Sequence, residues 1–307
     1  MSSTIFVCGA TGTQGGALID HLLKTDTRIH AVTRNSDSKA AQRLKTLGVS
    51  ITEGDFDHEE SFKDSMSNCT TLFLNLTPNM MDLNASFEQA CRVLRVAKSA
   101  GIKHIVYASA TSADDPSRFT AWDPTNMVGA MMLNKQAIEN EVRTAGFDTW
   151  TILRPAVFMT NFLSPMAMMY QGLTETGVLT TAYAPDTILP MVDPNDIGKF
   201  AAAAVLDPTK YNQQGIPIVS EFLGVDALMQ CLSRVTGRGF KVVHLSDEEI
   251  NAQKSTNPFI CGQLMSRNIA SLVDSKEISK WNISLGTWEE FLQRENARVH
   301  NTYLSAA

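Results

Sequence analysis

Three glycines, Gly9, Gly12 and Gly15, punctuate the stretch Gly9-Ala10-Thr11-Gly12-Thr13-Gln14-Gly15. An apolar run, Thr4-Ile5-Phe6-Val7-Cys8, precedes it, and residues 17–23 follow with apolar side chains at helical spacing. A strand, a glycine turn and a helix in that order make an anion-binding device. Gly9 permits a tight turn, Gly12 keeps side-chain bulk away from a pyrophosphate, and Gly15 lets the helix lie close to the strand. The free N–H groups of the helix's first turn then face the anion. Thr11, Thr13 and Gln14, between the glycines, join them as dinucleotide-contact candidates. A second chemical group stands at the end of the next strand, residues 28–33. An acid there would hold a ribose 2′-hydroxyl, but the chain continues Thr33-Arg34-Asn35-Ser36. Arg34 suits a 2′-phosphate, through a charge-assisted contact. The expected cofactor is therefore NADP(H).

The elements that must position these residues alternate along the chain. A helix over 39–47 closes at Gly48, and a strand over 49–52 leads into Glu53-Gly54-Asp55-Phe56. Asp57 is placed to cap a helix starting at His58. A strand over 70–74 runs into Asn75-Leu76-Thr77-Pro78, and a long helix over 83–100 closes at Gly101. A strand at 103–108 is followed by a polar loop, 111–128, interrupted by Pro116 and Pro124. Loops of that length tend to be functional or mobile. Then come a helix over 128–145, with Glu139 four residues after Lys135 on one face, and a strand over 147–153 ending at Arg154-Pro155. Strands alternating with helices imply a parallel sheet with right-handed crossovers. Ligands of such a sheet lie beyond the strands' C-terminal ends. That places Asp55 and Phe56 at an adenine edge, Asn75, Leu76 and Thr77 under the ribose and nicotinamide, and Ser109 and Thr111 near the same crevice.

Composition excludes several classes. The 307 residues are 44% hydrophobic and 19% charged, as in ordinary globular proteins. A net charge of −6 argues against direct nucleic-acid or anionic-membrane binding. The five cysteines lack C-x-x-C spacing, so neither disulfides nor zinc are expected, and no other metal-ligand cluster stands out. No apolar run of about eighteen residues is present. The N-terminal residues enter a strand without a basic, apolar leader pattern, so a cytoplasmic location is the expectation.

The glycine stretch, the arginine after strand two, Gly54-Asp55-Phe56, Val106-Tyr107-Ala108-Ser109, the lysine helix and Leu153-Arg154-Pro155 follow one another in order, with Asn161-Phe162 beyond. Together they resemble the NmrA-like family of atypical short-chain dehydrogenases/reductases. The resemblance implies an α/β fold: a Rossmann-type doubly wound parallel sheet binding NADP(H), with a smaller C-terminal α+β domain. The first domain is expected over 1–155 with a return at about 190–220, the second over 156–189 and 221–307. The family includes NADPH-dependent reductases of quinones and phenolic compounds, and redox-sensing regulators. Ordinary short-chain reductases use Tyr-x-x-x-Lys, and here Met131 stands four residues before Lys135. Lys135 keeps two roles open: contact with the nicotinamide ribose, and proton donor or base if its pKa is lowered. Ser109 and Thr111 sit near the family serine and are candidates to polarise a carbonyl. Pro155 joins the cofactor-contact set.

Residues 156–170 are rich in methionine and aromatics. Met131, Phe158 and Phe162 are candidates for an apolar pocket, against the alternative that such residues fill core gaps. Strands are expected at 177–181 and 187–192 around Ala184-Pro185-Asp186, a helix starting at Asp193-Pro194, and a strand at 215–220. Two functions follow. One is an NADPH-dependent oxidoreductase passing hydride to a quinone, carbonyl or activated alkene of an aromatic or apolar molecule. The other is a non-catalytic NADP(H) sensor acting on a protein partner such as a transcription factor. A homodimer is left open.

Overall fold

The computed structural model describes residues 3–79 and 81–304. In chain order the first elements are β1 (Thr4–Val7), α1 (Thr13–Leu22), β2 (Arg28–Thr33), α2 (Lys39–Thr46), β3 (Ser50–Glu53), β4 (Thr71–Leu74), α3 (Leu83–Ser99), β5 (His104–Ala108), α4 (Met127–Thr144) and β6 (Thr149–Pro155). Next come β7 (Val157–Phe158), α5 (Leu173–Thr176), β8 (Val178–Thr181), β9 (Ile188–Val192), α6 (Pro194–Leu206), β10 (Gln214–Ile218) and β11 (Glu221–Gly224). The chain ends with α7 (Val225–Thr236), β12 (Lys241–His244), α8 (Asp247–Gln253), α9 (Pro258–Met265), α10 (Ser275–Ser279), α11 (Trp288–Arg294) and α12 (Asn296–Tyr303). Among the described residues no helix is long and apolar enough to cross a membrane.

Two compact units emerge. The first holds residues 1–114, 131–154 and 197–216. Its seven-stranded sheet runs β10-β6-β5-β4-β1-β2-β3, and the pairings β1–β2, β1–β4, β2–β3, β4–β5 and β5–β6 are all parallel. This is the doubly wound Rossmann arrangement expected from the sequence. The strand order reverses between β1 and β4, which opens the ligand crevice of such sheets at their C-terminal ends. Its core is apolar because parallel strands are covered on both faces: Phe6, Leu72, Leu74, Val93, Ile105, Ile138, Val142 and Ile152 are buried together.

The second unit holds residues 115–130, 155–196 and 217–307. It carries a three-stranded sheet, β11-β9-β7, and a two-stranded one, β12-β8. Its core packs Met159, Phe162, Tyr170, Trp288 and Phe291. Phe162 stacks on Tyr170 with centroids 5.0 Å apart and meets Trp288 edge-on at 5.8 Å.

Several local expectations are revised. Residues 58–62 form not a helix but short 3₁₀ turns, Glu59–Ser61 and Asp64–Met66. Asp57 caps nothing there: the N-cap of Glu59–Ser61 is His58, without a side-chain cap bond, and Asp55 Oδ1 closes the preceding turn by accepting the amides of Asp57 at 2.8 Å and His58 at 3.0 Å. Both strands expected around Ala184-Pro185-Asp186 form, β8 pairing with β12 and β9 with β11 and β7. Residues 115–130 group with the second unit rather than the first. Asn268 anchors them there, accepting the Thr120 amide at 3.1 Å and donating to the Arg118 carbonyl at 3.0 Å.

Candidate dinucleotide and proton-transfer site

The glycine loop is built as its spacing demands. Gly9 has φ +65°, and a Cβ there would lie 2.8 Å from the Asn75 carbonyl oxygen and 2.9 Å from Asn75 Nδ2. A Cβ on Gly15 would overlap the Gly9 carbonyl. Gly12 caps α1 in extended conformation with no side-chain bond to the first-turn amides, and its own amide donates to the Gly9 carbonyl at 3.0 Å. Thr11, Gly12 and Thr13 are exposed. Gln14 Nε2 donates to Asn75 Oδ1 at 3.1 Å, which ties the loop to the end of β4. Gln14 Oε1 is buried without a hydrogen-bond partner. A side-chain-free cradle, uncapped helix amides and an orphaned buried acceptor fit a phosphate-bearing ligand with donor groups of its own.

Around the loop, Arg34 is exposed after β2 and makes no hydrogen bond or ion pair among the described residues. Leu76 and Phe56 pack partly buried against the core, and Thr77 is exposed. The Asp55 side chain is committed to its turn. Burial works against its charge, but bonds from His58 and Asp57 hold the carboxyl below the usual range. Phe56 meets Phe62 edge-on at 5.4 Å. The backbone here and the half-exposed Phe56 ring remain to edge an adenine.

Lys135 lies on α4, half-buried, and its ammonium makes no hydrogen bond among the described residues. It lines a small cleft with Leu74, Leu76, Pro78, Tyr107 and Asn134. Burial pushes its pKa down to about 8, with Glu139 pulling the other way. Glu139, one turn on, is fully buried. It receives Arg154 Nε at 3.0 Å and Nη2 at 2.6 Å, Arg143 Nη2 at 2.6 Å, and the Ser109 hydroxyl at 2.7 Å. Gly215 makes room for this, since a Cβ there would sit 2.7 Å from Arg154 Nη1. The network clamps α4 to β5 and β6 and so fixes Lys135 over its cleft. Ser109 is thereby spent on Glu139 rather than free to polarise a carbonyl. Thr111 is also buried, its hydroxyl on the Arg154 carbonyl at 3.3 Å. Pro155 ends β6, buried. Burial and the Glu139 charge push the Tyr107 phenol up, which keeps it protonated.

The expected pocket trio is divided between the two units. Phe162 is wholly buried in the second unit's core, and Met131 and Phe158 are half-buried, Met131 in the first unit and Phe158 in the second. Met166, Met168 and Met169 are surface-exposed. Sequence reasoning missed the Glu139–Arg154 pair as a unit. An acid one turn after a lysine, on an otherwise apolar face, together with an arginine ending a buried strand, was the available signal.

The folded chain is thus a Rossmann-type α/β protein with a dinucleotide cradle. It belongs to the NmrA-like family, whose model matches residues 1–290. An NmrA-like family domain-containing oxidoreductase, himF of Aspergillus japonicus, is 28% identical over 256 residues, covering 79% of this chain and 76% of that one. The triphenylmethane reductase of Citrobacter sp. superposes with a TM-score of 0.72 at 25% identity, over 95% of this chain and 98% of the other, and that reductase has also been crystallised with NADP(H). Nmra, a negative transcriptional regulator, superposes with a TM-score of 0.73 at 22% identity, over 97% of this chain and 98% of its own. At the level of the family, these proteins bind nicotinamide dinucleotides and include oxidoreductases.

Proposed function

We propose that this chain is an NADPH-dependent reductase of an aromatic or apolar small molecule, a quinone, carbonyl or activated alkene, acting in the cytosol. The observation that carries the reading is Lys135: an unpaired ammonium with its pKa pushed down to about 8, beside a largely apolar cavity with room for about one water. The glycine cradle would hold the pyrophosphate, Arg34 a 2′-phosphate, and Gln14 with Asn75 the turn between them. Bound there, the nicotinamide would supply a hydride to the acceptor. Lys135 would hold the ribose and give up a proton to the reduced acceptor, directly or through water, then regain one from solvent. Hydride plus proton balances a two-electron reduction. Ser109 and Thr111 move from catalytic to positioning roles, because their hydroxyls are engaged.

The test is a screen of the purified protein for NADPH oxidation with quinones and aromatic carbonyls, with Lys135→Ala alongside. Turnover that falls at least tenfold in the variant supports the reading; tight NADPH binding without turnover on any acceptor overturns it. Two observations favour the second reading, a redox sensor. Met131 stands in the tyrosine position and Ser109 is bound to a buried carboxylate, which leaves Lys135 without its usual partners. A sensor must bind NADP and NADPH with different affinities, and equal dissociation constants would remove that reading.

A further inference from the structure

The linear chain shows no acid where β2 ends, but the fold brings one. Thr33 and Glu53 are cross-strand partners in the parallel β2–β3 pair, and the Gly54 amide donates to the Thr33 carbonyl at 3.0 Å. Neighbouring strands lie about 4.8 Å apart, so the end of β3 flanks the tip of β2. Glu53 Oε2 accepts the Ser36 amide at 3.2 Å and the Ser36 hydroxyl at 2.6 Å. These bonds hold the Glu53 carboxyl below the usual range, so it is anionic at neutral pH. Arg34, the first residue past Thr33, stays exposed and unpaired among the described residues.

This corner is where the adenosine ribose of a dinucleotide meets a Rossmann sheet. A 2′-phosphate seeks N–H and O–H donors and positive charge. Glu53 has taken both Ser36 donors and adds a negative charge at the end of β3, cross-strand from Thr33 at the tip of β2. A 2′-hydroxyl is itself a donor, which a carboxylate accepts. The two neighbouring groups therefore pull the site toward different cofactors: Arg34 toward the phosphorylated one, Glu53 toward the unphosphorylated one.

We propose that Glu53 is a specificity-determining residue for the adenosine ribose, one that restrains the NADP(H) preference set by Arg34 and keeps NAD(H) within reach. The proposal rests on the dinucleotide site described under the proposed function. Glu53→Gln is the decisive substitution, because the amide oxygen still accepts from Ser36 while the charge is gone. The full-length protein is titrated with NADPH and with NADH, following nicotinamide fluorescence. The expected result is NADPH binding tightened by about three- to tenfold with NADH binding unchanged or weakened, an effect that shrinks in high salt. Ser36→Ala, which keeps the carboxylate and removes only a hydroxyl, is expected not to widen the NADPH preference.

If Glu53→Gln moves both cofactors equally, or neither, Glu53 merely clamps the loop and the proposal is overturned. It is also overturned if Ser36→Ala widens the preference as much as Glu53→Gln does. Should Glu53→Gln do nothing while Arg34→Ala weakens NADPH selectively, the dinucleotide site stands and only the role of Glu53 falls. If the unmodified protein binds neither cofactor, the dinucleotide site itself falls, and this proposal with it.

Discussion

Glu139 and Arg154 meet as a two-pronged pair, Nε to Oε1 at 3.0 Å and Nη2 to Oε2 at 2.6 Å, with the carboxylate wholly buried. Arg154 also reaches Asp114 at 3.2 Å. Removing one partner strands the other charge out of water. Glu139→Ala should therefore cost about 3–5 kcal/mol, read as a lower midpoint in urea. Because Glu139 raises the Lys135 pKa, the same variant should also shift any alkaline limb of the activity profile to lower pH. A loss under 1 kcal/mol would show that water replaces the carboxylate freely.

Lys135 links activity and stability with opposite signs. Its folded pKa is about 8, against 10.5 for an ordinary lysine. The unfolded chain thus binds this proton more tightly. The cost is present in full below about pH 8 and is relieved as pH rises toward 10.5. Lys135→Met should stabilise the protein at pH 7 by roughly 1–3 kcal/mol, a gain that fades in thermal melts above pH 9, while reduction is lost. A variant less stable at pH 7 would contradict the desolvated lysine. In the unmodified protein, any proton donation by Lys135 should fail as pH rises through about 8.

Arg34→Ala should weaken NADP(H) by about tenfold or more and NAD(H) hardly at all, since a bidentate guanidinium–phosphate contact is lost only from the former. Calorimetric titration with both cofactors decides this. Equal weakening would mean that Arg34 acts on the shared part of the molecule.

Neighbouring glycines in α1 should behave differently. Gly15→Ala places a methyl on the Gly9 carbonyl and should abolish dinucleotide binding or folding, whereas a Cβ on Gly16 would lie an ordinary 3.6 Å from the Ala10 carbonyl. Gly16→Ala should be neutral or gain up to about 1 kcal/mol from helix propensity. Paired thermal melts and cofactor titrations read both.

Phe162→Ala tests where this ring belongs. Stacked on Tyr170 and edge-on to Trp288, it should cost about 3–5 kcal/mol of stability and leave KM per folded molecule unchanged. A selective rise in KM would return it to the substrate pocket.

The Rossmann half could be read from the chain because its signals are local. Glycine spacing, short apolar runs and helix-closing glycines each reflect a constraint within about ten residues. The site's second layer could not be read this way, because it is made by residues far apart in sequence. Glu53 reaches the tip of β2 only through strand pairing, and Glu139 meets Arg154 only once α4 lies on β6. Ser109 looked like a free hydroxyl until that packing placed a carboxylate 2.7 Å away. Phe162 and the exposed methionines share one apolar, soft composition, and only three-dimensional packing separates core from surface.

The placement of β10 has a consequence for synthesis. Neither unit is one continuous stretch, and the seven-stranded sheet takes its outer strand from residues 214–218, beside β6, which ends at Pro155. A ribosome adds about 5–20 residues per second, so the sheet emerges with the β6 edge unpaired for several seconds before its covering strand is made. An open edge of that kind invites pairing with other chains. The nascent protein therefore passes through a window in which aggregation competes with completion of the sheet, and slower translation between β6 and β10 would widen that window.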